Sequence, residues 1–393
     1  MSNDKWKMNR FTRRDFLKTG AIGALGAFAF RGTAWPKQRA RELTLYVGTY
    51  TSGKSEGIYI YRMDRDTGEL VRFNSIKAVN PSFLTIDQSR RNLYAVNEVG
   101  EFAGQSSGAV SAFAIDSRTG NLTFLNQQAS LGADPCYLTV DRYRKFLLVA
   151  NYTGGNLSVL PIQRDGMLGP ATNFVQHEGS SIKDQQKGPH AHCIILDHAN
   201  RHALAADLGI DKVMIYRYDA STGKLKPHNQ PWAQVNPGAG PHHLTLHPRG
   251  RYAYVINELD STMTVFRYDR AKGTLGLLET VSTLPGDFSG QSYCADLHVS
   301  PSGRFLYGSN RGHNSIVVFA INENTGRLKY VEHMATQGKW PRNFTIDPTG
   351  RFLLVANQHT DNVVTFRVDA QTGRLKPTGH VAEIPVPVCL KFT

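Results

Sequence analysis

The side chains able to do chemistry in this chain stand at matched places in a repeat. Gly240 to Glu258 reads GPHHLTLHPRGRYAYVINE, with His242 and His243 at its start and Asn257 and Glu258 at its end. Pro248-Arg249-Gly250 is turn punctuation between an alternating run and a β-branched, aromatic run, so the segment is predicted to be a β-hairpin. An antiparallel hairpin sets the start of its first strand beside the end of its second, which brings both histidines next to the glutamate. Matching first-strand starts elsewhere carry His190, His192 and Arg342, and the places just past the second strands carry Tyr50, Glu98, Tyr152, Leu208, Arg311 and Gln358. Imidazole and carboxylate suit proton transfer and guanidinium suits developing negative charge, so acid–base work beside a stabilised anion is expected on one axis.

One place earlier, the second strands end in Thr49, Asn97, Asn151, Asp207, Asn257, Asn310 and Asn357. So uniform a polar column is expected to tie loops to strand ends. Variation in the next column is the better sign of function. Asn257 and Asn310 border Glu258 and Arg311, and are expected to contact a substrate together with His242, His243, Arg342, Glu98 and Tyr152.

The elements that must position these residues recur along the chain. NPSFLTID with NLYAVNE begins at Asn80, DPCYLTVD with FLLVANY at Asp134, GPHAHCIILD with HALAADL at Gly188, YCADLHVSPSGRFLYGSNR at Tyr293 and WPRNFTIDPTGRFLLVANQ at Trp340. A third strand follows each hairpin, then usually a Thr-Gly-x-Leu turn. The leading residues Pro81, Pro135, Pro189, Pro241, Cys294, Pro341 and Pro387 are 46 to 54 apart, the range of one four-stranded propeller blade. The first repeat, from Leu43, lacks a first strand, and the last segment, Pro385 to Phe392, is a first strand with nothing after it. An all-β, seven-bladed β-propeller is therefore expected, its ring closed by the C-terminal strand joining the N-terminal blade, with no open sheet edge. The longer interruptions, Glu98 to Gly108, Gln176 to Gly188 and Leu284 to Tyr293, fall on the rim that carries the histidines, where long loops commonly build a binding site.

The chain opens with Thr12-Arg13-Arg14-Asp15-Phe16-Leu17-Lys18, then an apolar Gly/Ala-rich run from Ala21 to Phe30 and the small residues Gly32-Thr33-Ala34. This is the pattern of a twin-arginine export signal. Residues 1 to 34 are assigned to it and 35 to 393 to the propeller, with a mature protein starting near Trp35, outside the cytoplasmic membrane. The translocation machinery is then a partner, and the apolar run is too short for a stable membrane anchor. Net charge is +13, of which seven basic against two acidic residues lie in the leader and +8 remains. Those charges are scattered, often at turns, and no basic helix or stacking platform points to nucleic acid. The four cysteines, Cys136, Cys193, Cys294 and Cys389, fall in different repeats without a Cys-x-x-Cys pair and are expected to be buried free thiols. His190/His192 is the one ligand pair with strand spacing, so no cofactor and no stoichiometric transition metal are expected. A monomer is expected.

From about Leu43 to Phe392 the sequence resembles the seven-bladed propeller lactonases, the group of propeller-type 6-phosphogluconolactonases and carboxymuconate cyclases. HEGSS, GPHAH (Gly188 to His192), ADLGID (Ala206 to Asp211), YVINEL (Tyr254 to Leu259), SNRGHNSI (Ser309 to Ile316) and PRNFTIDPTGRFLLVANQ (Pro341 to Gln358) carry the likeness. The resemblance implies a site on His190 or His192, His242, Glu258 and Arg311. His242 stands where the family pattern has arginine. The implied reaction is hydrolysis of a sugar-type lactone, with Arg311 at the carbonyl oxygen, Glu258 or His192 as base and the other as acid. A related ring-closing isomerase and a non-catalytic propeller that binds a protein or cell-wall ligand are the alternatives. Export and the neutral imidazole of His242 point to an unphosphorylated lactone, since imidazole grips phosphate less firmly than guanidinium.

Overall fold

A computed structural model of the protein describes residues 42 to 51 and 53 to 393. The export signal expected over residues 1 to 34 lies outside the described residues. The described chain forms seven four-stranded antiparallel sheets. Blade 5 is typical, with strands Pro241–Leu246, Tyr252–Asn257, Thr262–Asp269 and Thr274–Ser282 in that spatial order. First strands of successive blades contact one another, so they ring the central axis. Second strands are buried on both faces between neighbouring blades, which is why Phe146–Asn151 and Phe352–Asn357 read as unbroken apolar runs, FLLVAN in both, with every residue buried. Fourth strands lie at the rim and alternate, as in Leu375–Glu383. The ring closes as expected. Pro387–Phe392 pairs with Glu42–Thr49, with Leu45 opposite Phe392 and Thr49 opposite Pro387.

Local chemistry explains the punctuation. In the turn joining first and second strands, Asp141, Asp197 and Asp347 each accept two backbone N–H groups through one carboxylate oxygen, for example from Lys145 at 2.6 Å and Phe146 at 3.0 Å. In the turn joining third and fourth strands the Thr-Gly glycine is left-handed. Gly223 has φ +72°, and a Cβ there would meet the Phe146 ring at 2.5 Å. Second-strand tyrosines peg neighbouring blades together. Tyr46, Tyr94, Tyr254 and Tyr307 donate to the carbonyls of Gly120, Gly166, Gly326 and Gly373 in the next blade.

In blade 4 it is Ala191, not Pro189, that takes the leading place, since Ala191 faces Asp207 as Pro241 faces Asn257. Gly188 and Pro189 belong to the preceding loop, and Asp207 accepts the His190 N–H at 2.7 Å. All four cysteines are buried and free, as expected. Burial pushes the Cys193 and Cys294 thiols up to about 12 and the Cys389 thiol to about 11.

Candidate active site at the mouth of the axis

A β-bulge repeats in the first strands and decides which side chains reach the axis. Pairing shifts between Pro135 and Tyr137, Ala191 and Cys193, Pro241 and His243, and Pro341 and Asn343, skipping one residue each time. The skipped residues are Cys136, His192, His242 and Arg342. A bulge places two residues opposite one and re-aims a side chain, so a single backbone irregularity, repeated, presents different chemistry from each blade.

His192 and His242 meet face to face, with ring centroids 3.5 Å apart and planes tilted by 33°. His243, the next residue, lies 4.4 Å from His242 and 5.5 Å from His192, centroid to centroid. All three are buried. Burial drives the His192 and His242 imidazoles well below their ordinary pKa, reinforced for His192 by His243, Arg342 and Arg311 and for His242 by His192, His243, Arg311 and Arg342. They are neutral at pH 7. Glu258 stands at the rim of this group, its Oε2 3.3 Å from His242 Nε2 and 3.0 Å from Arg311 Nη2.

Arg311 is heavily committed. Its Nη2 donates to the Cys294 carbonyl at 2.7 Å and its Nε to the Tyr293 carbonyl at 3.3 Å, while Trp340 lies under the guanidinium at 5.5 Å. Arg342 is not. It is half-buried over the Tyr50 ring at 5.4 Å, with no hydrogen bond or ion pair among the described residues. Burial would lower its pKa, but Tyr50, Glu98 and Glu258 outweigh that and hold it firmly charged. Glu98 accepts the Tyr50 hydroxyl at 2.9 and 3.0 Å and is also bonded by Ser82. Arg342 is therefore the group on which the Glu98 and Glu258 sides of the mouth both act.

The remaining candidates separate. His190 stacks on Tyr152 with centroids 4.6 Å apart and uses Nδ1 on the Tyr152 carbonyl at 3.0 Å, so of the two histidines of GPHAH it is His192 that joins His242. Tyr152 also edges onto His192, at 5.4 Å, and burial raises its hydroxyl to about 12. Asn257, expected to touch a substrate, turns its amide into its own blade, and Asn310, also expected to touch one, ties its blade to the segment arriving from the preceding one. Asn257 donates to Thr262 and Thr264, and Asn310 to the Thr283 carbonyl and Ser315. Both are fully buried strand-end ties like the rest of their column.

A second layer beneath the bulge residues was not legible along any single strand. His243 Nδ1 bonds Asp296 Oδ1 at 2.9 Å, and Asp296 Oδ2 is bonded by His298 Nε2 at 2.9 Å and by Asn343. Phe83 and Tyr137 stack at 4.1 Å on the other side of His243. Asp296 is buried, yet its partners hold its carboxyl far below the usual range against that burial. The signal for this layer was the residue after each bulge residue, read across repeats. A further support was missed for the same reason. His177 bridges Asp207 at 2.6 Å and Tyr216 at 2.9 Å, and Asp207 in turn fixes the His190 backbone.

The fold and this mouth define a propeller whose one end gathers imidazoles, carboxylates and guanidiniums from several blades. The chain belongs to the lactonase family of seven-bladed β-propellers, whose family profile matches residues 44–392. It is 38% identical over 348 residues to 6-phosphogluconolactonase of Bacillus subtilis, covering 88% of this chain and 97% of that protein. It is 36% identical over 309 residues to 6-phosphogluconolactonase of Formosa agariphila, covering 77% and 86%. The periplasmic gluconolactonase PpgL of Pseudomonas aeruginosa superposes with a TM-score of 0.85 at 35% identity, covering 90% of this chain and 99% of PpgL.

Proposed function

We propose that this protein hydrolyses a sugar-type lactone at the axial mouth, with Glu258 as the proton-transfer group and Arg342 at the carbonyl oxygen. The observation that carries the reading is Glu258, positioned by Arg311 and His242 and facing a cation whose donors are unspent. Water attacks the carbonyl carbon while Glu258 takes its proton. The carbonyl oxygen becomes an oxyanion beside Arg342, in place of Arg311, whose Nη2 and Nε are already donated. Collapse of the tetrahedral intermediate expels the ring oxygen, which receives the proton back from Glu258, and a hydroxy acid leaves. His192 and His242, kept neutral by burial, position water and the leaving oxygen and are not proton stores. Arg311 holds the Glu258 carboxylate in place.

The substrate class we favour is an unphosphorylated aldonolactone. Neutral His242 offers a phosphate group no charge, and the basic and apolar leader fits export, away from phosphorylated sugars of the cytoplasm. We infer a monomer, since one chain supplies every residue of the cluster. No helix among the described residues is long and apolar enough to cross a membrane. The deciding experiment compares gluconolactone with its 6-phosphate on one purified sample. Preference for the unphosphorylated ring is expected; a clear preference for the phosphate sinks the substrate class, and no hydrolysis across a lactone panel sinks the enzyme. N-terminal sequencing of exported protein should begin near Trp35, and Met1 or Ser2 there would contradict export with cleavage.

A further inference from the structure

Spacing along one strand argued against a metal, but the ligand atoms here come from two neighbouring strands. One ring nitrogen from each of His192, His242 and His243 lies within 4.8 Å of the others, and all three residues are buried. Three of their nitrogens, His192 Nδ1 and both of His242, are buried without a hydrogen-bond partner. Leaving buried polar atoms unpaired is costly, and protein interiors seldom tolerate several together without a ligand. His243 is different in an informative way. Its Nδ1 is bonded to Asp296, which fixes the ring and leaves Nε2 as the nitrogen free to bind, the arrangement by which a carboxylate orients a metal-binding imidazole.

We propose that His192, His242 and His243 form a three-histidine binding site for a divalent transition cation of the zinc class, with Asp296 orienting His243 and the fourth position left to solvent. The donor set suits such an ion, since imidazole favours Zn, Cu and Ni over Mg or Ca, and neutral imidazoles need lose no proton to bind. Glu258, whose Oε2 lies 3.3 Å from His242 Nε2, and Asp296 supply negative charge beside the cation. Zinc bonds of about 2.0–2.1 Å require the nitrogens to draw together to roughly 3.4 Å, so the stacked His192 and His242 rings must rotate apart on binding. The site shares residues with the proposed hydrolase but does not rest on that reaction.

The test uses the full chain, stripped with a chelator, dialysed and titrated with Co2+, whose visible spectrum reports coordination. Expected are the intense bands of a four-coordinate ion saturating at about one Co2+ per chain, and their loss on adding Zn2+. His242→Arg, which installs the residue of the family pattern and so should fold, is expected to abolish the bands. His243→Asn should abolish them too, and Asp296→Asn should weaken binding by about 10- to 100-fold. An unchanged spectrum of free aqueous Co2+, or bands that persist in folded His242→Arg protein, overturns the proposal. Lactone hydrolysis by the stripped protein decides the function separately, so either reading can fail alone.

Discussion

At the residue scale, a charge used to hold the fold behaves differently from a charge kept for a ligand. Arg311 and Arg342 look alike in sequence, each in a varied position at the same rim. Only the contacts separate them: Arg311 donates to two backbone carbonyls and Glu258, whereas Arg342 donates to no described residue. Arg342→Met should therefore lower kcat/KM by about a hundredfold or more while the melting temperature stays near the parent's, as expected for loss of an oxyanion donor. Arg311→Met should cost both, because it leaves buried carbonyls unpaired. Glu258→Gln should cost about a hundredfold in kcat, on the order of 3 kcal/mol, with little change in melting temperature. Kinetics and thermal melts on the three variants check this, and equal stability loss in Arg342→Met and Arg311→Met would contradict it. Repeat columns made Glu258, His192 and Arg342 legible in the sequence. Asp296 was not, because its role depends on a bulge that no residue type announces and on contacts reaching into the blades on either side.

At the element scale, one loop-to-strand junction connects fold and site. Gly209, between the second and third strands of blade 4, lies so close to the loop before His190 that a Cβ would sit 1.9 Å from the Gly188 carbonyl oxygen and 2.8 Å from the His190 nitrogen. Backbone cannot swing aside as a side-chain tip can, so Gly209→Ala must displace the GPHAH segment. A stability loss on the order of 2 kcal/mol, with a fall in activity, is expected, and an unshifted melt would contradict the packing. Turns and hairpins were legible because Pro, Gly and Asp punctuate every blade. The register of blade 4 was not, because Pro189 imitates the leading prolines of other blades while Ala191 takes that place, and an Asp207 side-chain bond settles where the strand begins. Buried first-strand thiols give a second check. Burial raises Cys193, Cys294 and Cys389 so far that native protein at pH 8 should take up almost no iodoacetamide, whereas denatured protein should take up four equivalents by mass.

At the scale of the whole molecule, the ring depends on its last strand. Pro387–Phe392 is the inner strand of the blade that also holds Glu42–Thr49, and it contacts the first strands of the blades on both sides. Val388, Cys389 and Leu390 are buried, the Leu390 N–H donates to Asn343 at 2.8 Å, and Asn343 also bonds Asp296 under the site. This closure could be read from sequence because the first repeat lacked the strand that the C terminus supplied. Removing Val386 to Thr393 takes away several fully buried side chains, each contributing about 1.5–3 kcal/mol, and opens a sheet edge at the axis. The truncated chain should fail to accumulate in soluble form or melt far below the parent. Loss of sequence and loss of closure can be told apart, because Thr393 N bonds the Thr44 carbonyl at 3.1 Å, so the strand ends beside the start of its partner. Moving residues 386 to 393 ahead of Glu42 through a short turn restores the same pairing with a different chain order. That permuted protein should melt in one transition near the parent temperature and keep its lactone hydrolysis. If truncation leaves the melt unchanged, or the permutant melts like the truncated chain, closure by this strand is not what holds the ring together.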